Sequence, residues 1–278
     1  MIHDQPAVNA TRVLAGLLES RTGQQIAPSR YWRIQTALAP VLKDAGIPDL
    51  EAMVAVLLDG ENEHLLQKSL EAMLNNESFF FRDVATFSAI RGQVLPHLRE
   101  LRKARRAIRI WCAGCSTGQE PLSLAMMIRD DAAVWQGWNV EIVGTDISET
   151  ALAKARSGRF SQFEIQRGLS VDLMLKHFEQ DGEEWIVNPD IHRLVTFKQE
   201  NILRPGSVSG PFDLVLCRNV LMYFAPETRH IAYSRIARSI APDGLLVLGS
   251  AETVIGQTEI FETNPAIRGT YLPVLQAS

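Results

Sequence analysis

The stretch Ile108-Arg109-Ile110-Trp111-Cys112-Ala113-Gly114-Cys115-Ser116-Thr117-Gly118-Gln119-Glu120-Pro121 constrains this chain more than any other. It reads as an apolar strand, a turn of small residues, and the start of a helix. Small residues let a backbone pass close to another group, and the helix that follows offers unpaired N–H groups to it. A strand–turn–helix of this kind opens a parallel α/β sheet, whose ligands bind beyond the carboxyl ends of the strands.

The rest of the chain from Ile108 keeps that rhythm. Strands are expected at Ile108–Cys112, Val140–Thr145, Leu194–Lys198, Phe212–Cys217 and Gly244–Leu248, with helices at Pro121–Arg129, Glu149–Arg156 and Pro226–Ile240. Alternating strands and helices imply a mainly parallel sheet covered on both faces. Residues from about 160 to 193 break the alternation. There Gln180-Asp181-Gly182 and Trp185-Ile186-Val187 suggest a hairpin, hence an inserted antiparallel β-subdomain. The tail, Glu259 to Val274, is expected to add a last antiparallel pair at the sheet edge.

The chain ahead of this region looks different. Residues 1–75 read as helices only: one after a cap at Asn9 or Thr11, one over Ser29–Ala45, one capped by Asp49 and ended by Gly60, and one over Glu63–Leu74. Trp32, Ile34, Leu38, Val41, Leu42, Met53, Val54, Val56 and Leu57 are the expected inward positions. This is a small all-α domain. Residues 76–90 form a linker containing Asn76-Glu77-Ser78-Phe79-Phe80-Phe81-Arg82-Asp83, whose aromatics read most simply as docking two domains together. A helix over Val84–Leu101 and the basic run Arg102-Lys103-Ala104-Arg105-Arg106, read as a solvated turn, lead into the α/β domain, 91–278.

The 278 residues carry a net charge of −4, which argues against a large phosphate-reading surface. No run of about 18 apolar residues is present, so no spanning helix is expected, and residues 1–10 lack the apolar core of a secretory signal. Three cysteines make a poor disulfide framework, which points to the cytoplasm.

Three features converge on a nucleoside cofactor. Gly114-x-x-x-Gly118 forms the turn after the first strand, although it is not the G-x-G-x-x-G of nicotinamide enzymes. Asp146, at the end of the next strand, is placed to accept from both ribose hydroxyls. Arg218 and Asn219 follow the fourth strand, where side chains point into the ligand crevice. Three other readings stay open on the residues alone: a nicotinamide oxidoreductase, a thioredoxin-type redox site at Cys112–Cys115, and a binding module without turnover. No histidine stands at metal-ligand spacing from the cysteines, so no metal is expected.

Together, Asn76 to Asp83, Ala113 to Pro121, Thr145-Asp146-Ile147 and Cys217-Arg218-Asn219-Val220-Leu221-Met222-Tyr223-Phe224 resemble the signature set of the CheR family, the bacterial chemotaxis methyltransferases that methylate glutamates on chemoreceptors. The resemblance covers nearly the whole chain. It implies a Rossmann-like class I methyltransferase domain with an inserted antiparallel β-subdomain, preceded by a small all-α domain. It implies S-adenosyl-L-methionine as cofactor and S-adenosyl-L-homocysteine as product. It further implies that Asn76, Ser78, Arg82, Gly114, Glu120, Asp146, Asn201, Ile202, Arg218 and Asn219 hold the cofactor, with Arg82 and Tyr223 closest to the transferred methyl. The implied partners are the cytoplasmic helical region of chemoreceptors, a receptor C-terminal pentapeptide that binds the β-subdomain in part of the family, and regulatory proteins. The implied location is the cytoplasm, with recruitment to membrane receptor arrays. The chain departs from the family at Gln119, commonly glutamate, at Ser78, commonly threonine, and in a less basic second helix, where Arg30, Arg33 and Lys43 stand.

These residue types suit a methyl transfer between a sulfonium and a carboxylate. A glutamate with a pKa of about 4.3 is already ionised at neutral pH, so no strong base is needed. Alignment and exclusion of water do the work, and an arginine such as Arg82 can hold a carboxylate by two N–H groups while one oxygen attacks.

Overall fold

A computed structural model describes residues 5–60, 62–204, 206 and 208–274. The ends of the two expected domains, 1–4 and 275–278, lie outside the described residues. The chain divides into two units. One holds the residues up to Asn75 together with Tyr223–Thr228, and the other holds Asn76–Met222 and the chain from Arg229.

In the first unit, helices α1 (Gln5–Thr22), α2 (Trp32–Ala45), α3 (Leu50–Leu58) and α4 (Glu63–Met73) bury Leu14, Leu18, Ile34, Leu38, Met53 and Leu70. Asp49 caps α3 as expected, accepting from the Ala52 N–H at 2.8 Å, and Asn62 caps α4. Asn9 and Thr11 both lie inside α1, whose described residues begin at Gln5, so neither stands at its N-cap position. Trp32 is 66 % exposed rather than inward. Two residues before Ile34 it stands about 200° round the helix from the buried stripe. Val56 is exposed as well. The unit is not purely helical, since Gln24 bridges Phe224 and Gln25 N–H donates to the Tyr223 carbonyl at 2.8 Å. The Tyr223 hydroxyl accepts from the Asn75 side-chain amide.

The second unit opens with α5 (Val84–Ala89), a π-helical turn (Ile90–Val94) and α6 (Leu95–Leu101), which replace the single regular helix expected over this span. The sheet then alternates strands β1 (Ala107–Ala113), β2 (Asn139–Asp146), β6 (Val195–Gln199), β7 (Phe212–Cys217) and β8 (Ile240–Leu248) with helices α7 (Gln119–Asp130), α8 (Glu149–Ser157) and α12 (Pro226–Ala237). Strands β9 (Phe261–Thr263) and β10 (Thr270–Pro273) complete it. The order is β6-β2-β1-β7-β8-β10-β9, with β10 antiparallel to both β8 and β9. A parallel sheet whose strand order reverses at β1 is the Rossmann-like arrangement. α12 ends at Ala237, ahead of the expected Ile240, and β8 starts at Ile240 rather than Gly244.

The insert after α8 is a three-stranded antiparallel sheet, β3-β5-β4, built from β3 (Arg159–Ser161), β4 (Phe178–Asp181) and β5 (Glu184–Val187), with short helices α9 (Gln162–Gln166), α10 (Val171–His177) and α11 (Pro189–His192). The expected hairpin is β4–β5, and β3 is the strand that periodicity did not reveal.

Two of the linker's aromatics pack within the second unit. Phe80 is fully buried inside the second unit, edge-on to Phe160 at 5.0 Å and Phe178 at 5.4 Å, and Phe81 meets Phe87. The basic run is a turn with Lys103 to Arg106 exposed, as expected, but its first residue is not solvated. Arg102 is buried and donates to Asp213 at 2.6 Å and to Asp243, and Arg105 also reaches Asp213. Asp213 is fully buried on β7, and a buried carboxylate persists only when cations and N–H groups surround it. Among the described residues, no helix is long and apolar enough to cross a membrane.

Candidate active site

Six of the ten expected cofactor residues, Gly114, Asp146, Asn201, Ile202, Arg218 and Asn219, stand at or just beyond the carboxyl ends of β1, β2, β6 and β7, with Glu120 in the first turn of α7 and Asn76, Ser78 and Arg82 in the linker. After β1, the N–H groups of Gly114 and Cys115 both donate to the Thr145 carbonyl, at 2.8 and 2.9 Å, which pins the turn to β2. Gly114 has φ +78°, and a Cβ there would sit 2.4 Å from Val220 Cγ2. Gly118 caps α7 with φ +92°, and a Cβ there would lie 2.9 Å from Ala155 Cβ. The glycines therefore answer to packing.

Asp146 organises the neighbouring backbone. Its carboxylate accepts the Ser116 N–H at 2.7 Å and the Ser148 N–H at 2.9 Å, and its carbonyl accepts the Glu200 N–H. Ser116, at φ +51°, donates its hydroxyl to the Asn76 carbonyl at 2.7 Å, and the Asn76 amide reaches Ser148 Oγ at 3.4 Å. The linker is thus tied to the turn at its first residue. Asn201 accepts the Leu203 N–H, which shapes the bend where Ile202 is buried. Ser78 is half-buried.

Arg218 does not line an open crevice. Its side chain is 1 % exposed. It donates to Glu120 at 2.9 Å, to Asp83 at 2.7 Å and to the Arg82 carbonyl at 2.7 Å. Such a planar cation satisfies several acceptors at once, and here it ties β7, α7 and the linker together. Burial pushes the Glu120 carboxyl up from its usual range, against the pull of Arg218. The Arg82 guanidinium itself donates to the Glu77 carbonyl at 3.2 Å and lies 5.2 Å from the Phe79 ring centre. Tyr223 falls in the helical unit.

Sequence reasoning missed two acidic residues of this region. Asp83, at φ +64°, is the carboxylate that meets Arg218. Glu252 accepts four backbone N–H groups, from Asn219, Gly249, Val220 and Met222. Asp83 was legible, since it closes the aromatic motif. Glu252 stands in a turn with no motif to mark it.

The redox alternative fails on geometry. Cys112, Cys115 and Cys217 are buried free thiols, and burial pushes all three well above the ordinary thiol value. A disulfide-exchange site needs the opposite shift and access to solvent.

The donor and acceptor set does fit S-adenosylmethionine. Asn219 Oδ1 is buried with no hydrogen-bond partner among the described residues. An orphaned acceptor of this kind is satisfied by a ligand's donor, and S-adenosylmethionine carries an ammonium, two ribose hydroxyls and an adenine amine.

A Rossmann-like sheet with such a strand-end site defines a nucleoside-cofactor enzyme of the methyltransferase class. A family description, "CheR methyltransferase, SAM binding domain", matches residues 76–269. The chemotaxis protein methyltransferase of Vibrio parahaemolyticus is 33% identical over 262 residues, 92% of this chain and 94% of that one. Chemotaxis protein methyltransferase 1 of Vibrio cholerae is 34% identical over 256 residues, 90% and 92% of the two chains. Chemotaxis protein methyltransferase 1 of Pseudomonas aeruginosa is 33% identical over 241 residues, 85% and 87% of the two. The chain belongs to the CheR methyltransferase family. It is an S-adenosylmethionine-dependent methyltransferase of chemotaxis, which sets aside the nicotinamide alternative.

Proposed function

We propose that this chain transfers a methyl group to glutamate side chains on an acidic helical receptor surface, with Arg82 orienting the accepting carboxylate. One observation carries the reading: Arg218 holds the Arg82 carbonyl and Glu120 in a single buried hydrogen-bonded group, while the Arg82 guanidinium touches only the Glu77 carbonyl and the Phe79 face among the contacts described. An arginine held by its backbone, with its fork so lightly engaged, suits capture of a carboxylate.

In this reading Asn76, Ser78, Gly114, Glu120, Asp146, Asn201, Ile202 and Asn219 hold the cofactor. Arg218 acts by fixing the linker and Glu120 around it. S-adenosylmethionine supplies a methyl on a sulfonium; the C–S bond breaks as the C–O bond forms, leaving a thioether and a methyl ester. The enzyme residues orient the glutamate, exclude water and stabilise its negative charge until attack. The hydroxyl donor role expected of Tyr223 belongs to the same proposal. So do recruitment to membrane receptor arrays, regulatory partners, and a receptor pentapeptide at the β3-β5-β4 sheet.

The deciding experiment incubates the protein with methyl-labelled S-adenosylmethionine and chemoreceptor-bearing membranes. Label released from the receptor by mild base, as an ester requires, supports the proposal. Binding of the cofactor without any ester overturns it.

A further inference from the structure

We infer that Glu252 is a positioning residue for the cofactor edge: its carboxylate sets the turn after β7 so that Asn219 presents a buried acceptor to S-adenosylmethionine. The inference rests on the methyltransferase reading above.

Glu252 lies in the turn after β8, 33 residues beyond Asn219. One of its oxygens accepts the N–H groups of Asn219 at 2.7 Å and Gly249 at 2.9 Å. The other accepts those of Val220 at 3.1 Å and Met222 at 3.0 Å. The chain leaves β7 here with no sheet partner for these donors, so the carboxylate replaces the ladder that has ended. Bonds from N–H groups to a charged oxygen are stronger than those to a neutral one.

This anchoring fixes an unusual backbone. Asn219 has φ +59°, a left-handed state that side-chain-bearing residues seldom adopt unless held there. The same conformation leaves Asn219 Oδ1 buried without a hydrogen-bond partner among the described residues. Gly249 completes the group. A Cβ there would lie 2.7 Å from Glu252 Oε2 and 2.8 Å from Asn219 Nδ2, although the Gly249 backbone is outside the left-handed region. Three residues at the ends of β7 and β8 thus interlock, and the buried side-chain acceptor left over among them, Asn219 Oδ1, suits a ligand donor.

The test is calorimetric titration of the full chain with S-adenosylmethionine and S-adenosylhomocysteine. Glu252→Gln puts an amide NH2 against backbone donors. Gly249→Ala inserts a methyl between Glu252 and Asn219 without altering the polar groups of either side chain. Each is expected to weaken binding tenfold or more. Because Glu252 acts through Asn219, the Glu252→Gln, Asn219→Ala double variant is expected to bind no more weakly than the worse single variant. Asp243→Asn, which loosens the Arg102 pair at the amino ends of the strands, is the control: it lowers the thermal midpoint and leaves affinity within twofold.

If Glu252→Gln fails to fold, Gly249→Ala decides. Affinity within twofold of wild type, or losses that multiply in the double variant, overturns the inference while the methyltransferase reading stands. A wild-type chain that binds neither ligand overturns both.

Discussion

Arg218 and Asp83 meet at 2.7 Å inside the protein, at a point where β7 ends and the aromatic linker turns into α5. The same guanidinium holds Glu120 at 2.9 Å, so one buried cation serves two carboxylates.

Removing that cation is therefore expected to cost more than an ordinary ion pair. Arg218→Met leaves two acids facing one another without compensation, and denaturant unfolding should show a loss of about 3–5 kcal/mol. Arg218→Lys keeps the charge but not the fork, and an intermediate loss is expected.

Arg82 is expected to behave in the opposite way. Its side chain makes one bond to a carbonyl and one ring contact, so Arg82→Ala should leave the unfolding midpoint close to wild type. Methyl transfer to receptor membranes should fall tenfold or more. Near-normal turnover of labelled methyl would sink the role assigned to it.

The three thiols are expected to be silent. Raised by burial, they offer almost no thiolate at neutral pH. Iodoacetamide should leave Cys112, Cys115 and Cys217 unlabelled in the folded protein and label all three in denaturant, read by mass spectrometry.

His177 gives the protein a pH dependence. It is buried, 3.0 Å from Asp130, and burial lowers its pKa from 6.5, with Asp130 opposing and Lys176 assisting. The unfolded chain thus binds the proton more readily, so the contribution is intact above the unfolded value and is lost as pH falls through the folded one. Calorimetric midpoints should drop between pH of about 7.5 and 5, and His177→Gln should flatten that drop. Glu120 has the reverse sign, since its raised pKa favours folding on the acid side, which makes the difference between variant and wild type the quantity to read.

Much of this was legible in the residues. The strand β7 matched its expected span, and β1 and β2 each exceeded theirs by a residue at either end, because continuous apolar runs mark strands buried on both faces. Gly114, Asp146, Asn201 and Asn219 stand at or just beyond successive strand ends, as their places in the sequence indicated. What escaped was long-range polar pairing. Nothing near Arg102 announces a buried Asp213 more than a hundred residues away, and nothing near Glu252 announces the turn after β7. The π-turn at Ile90–Val94 escaped for a different reason: an extra residue in one turn leaves the apolar spacing nearly intact.

The cluster of Arg102, Arg105, Asp213 and Asp243 sits where the strands begin, and the cofactor edge where they finish. Charge at the amino rim can thereby be adjusted for robustness without touching recognition, whereas at the carboxyl rim Arg218 couples the two. Anyone adapting this scaffold to heat has the freer hand where the strands begin, and anyone adapting it to a new acceptor must keep that buried cation.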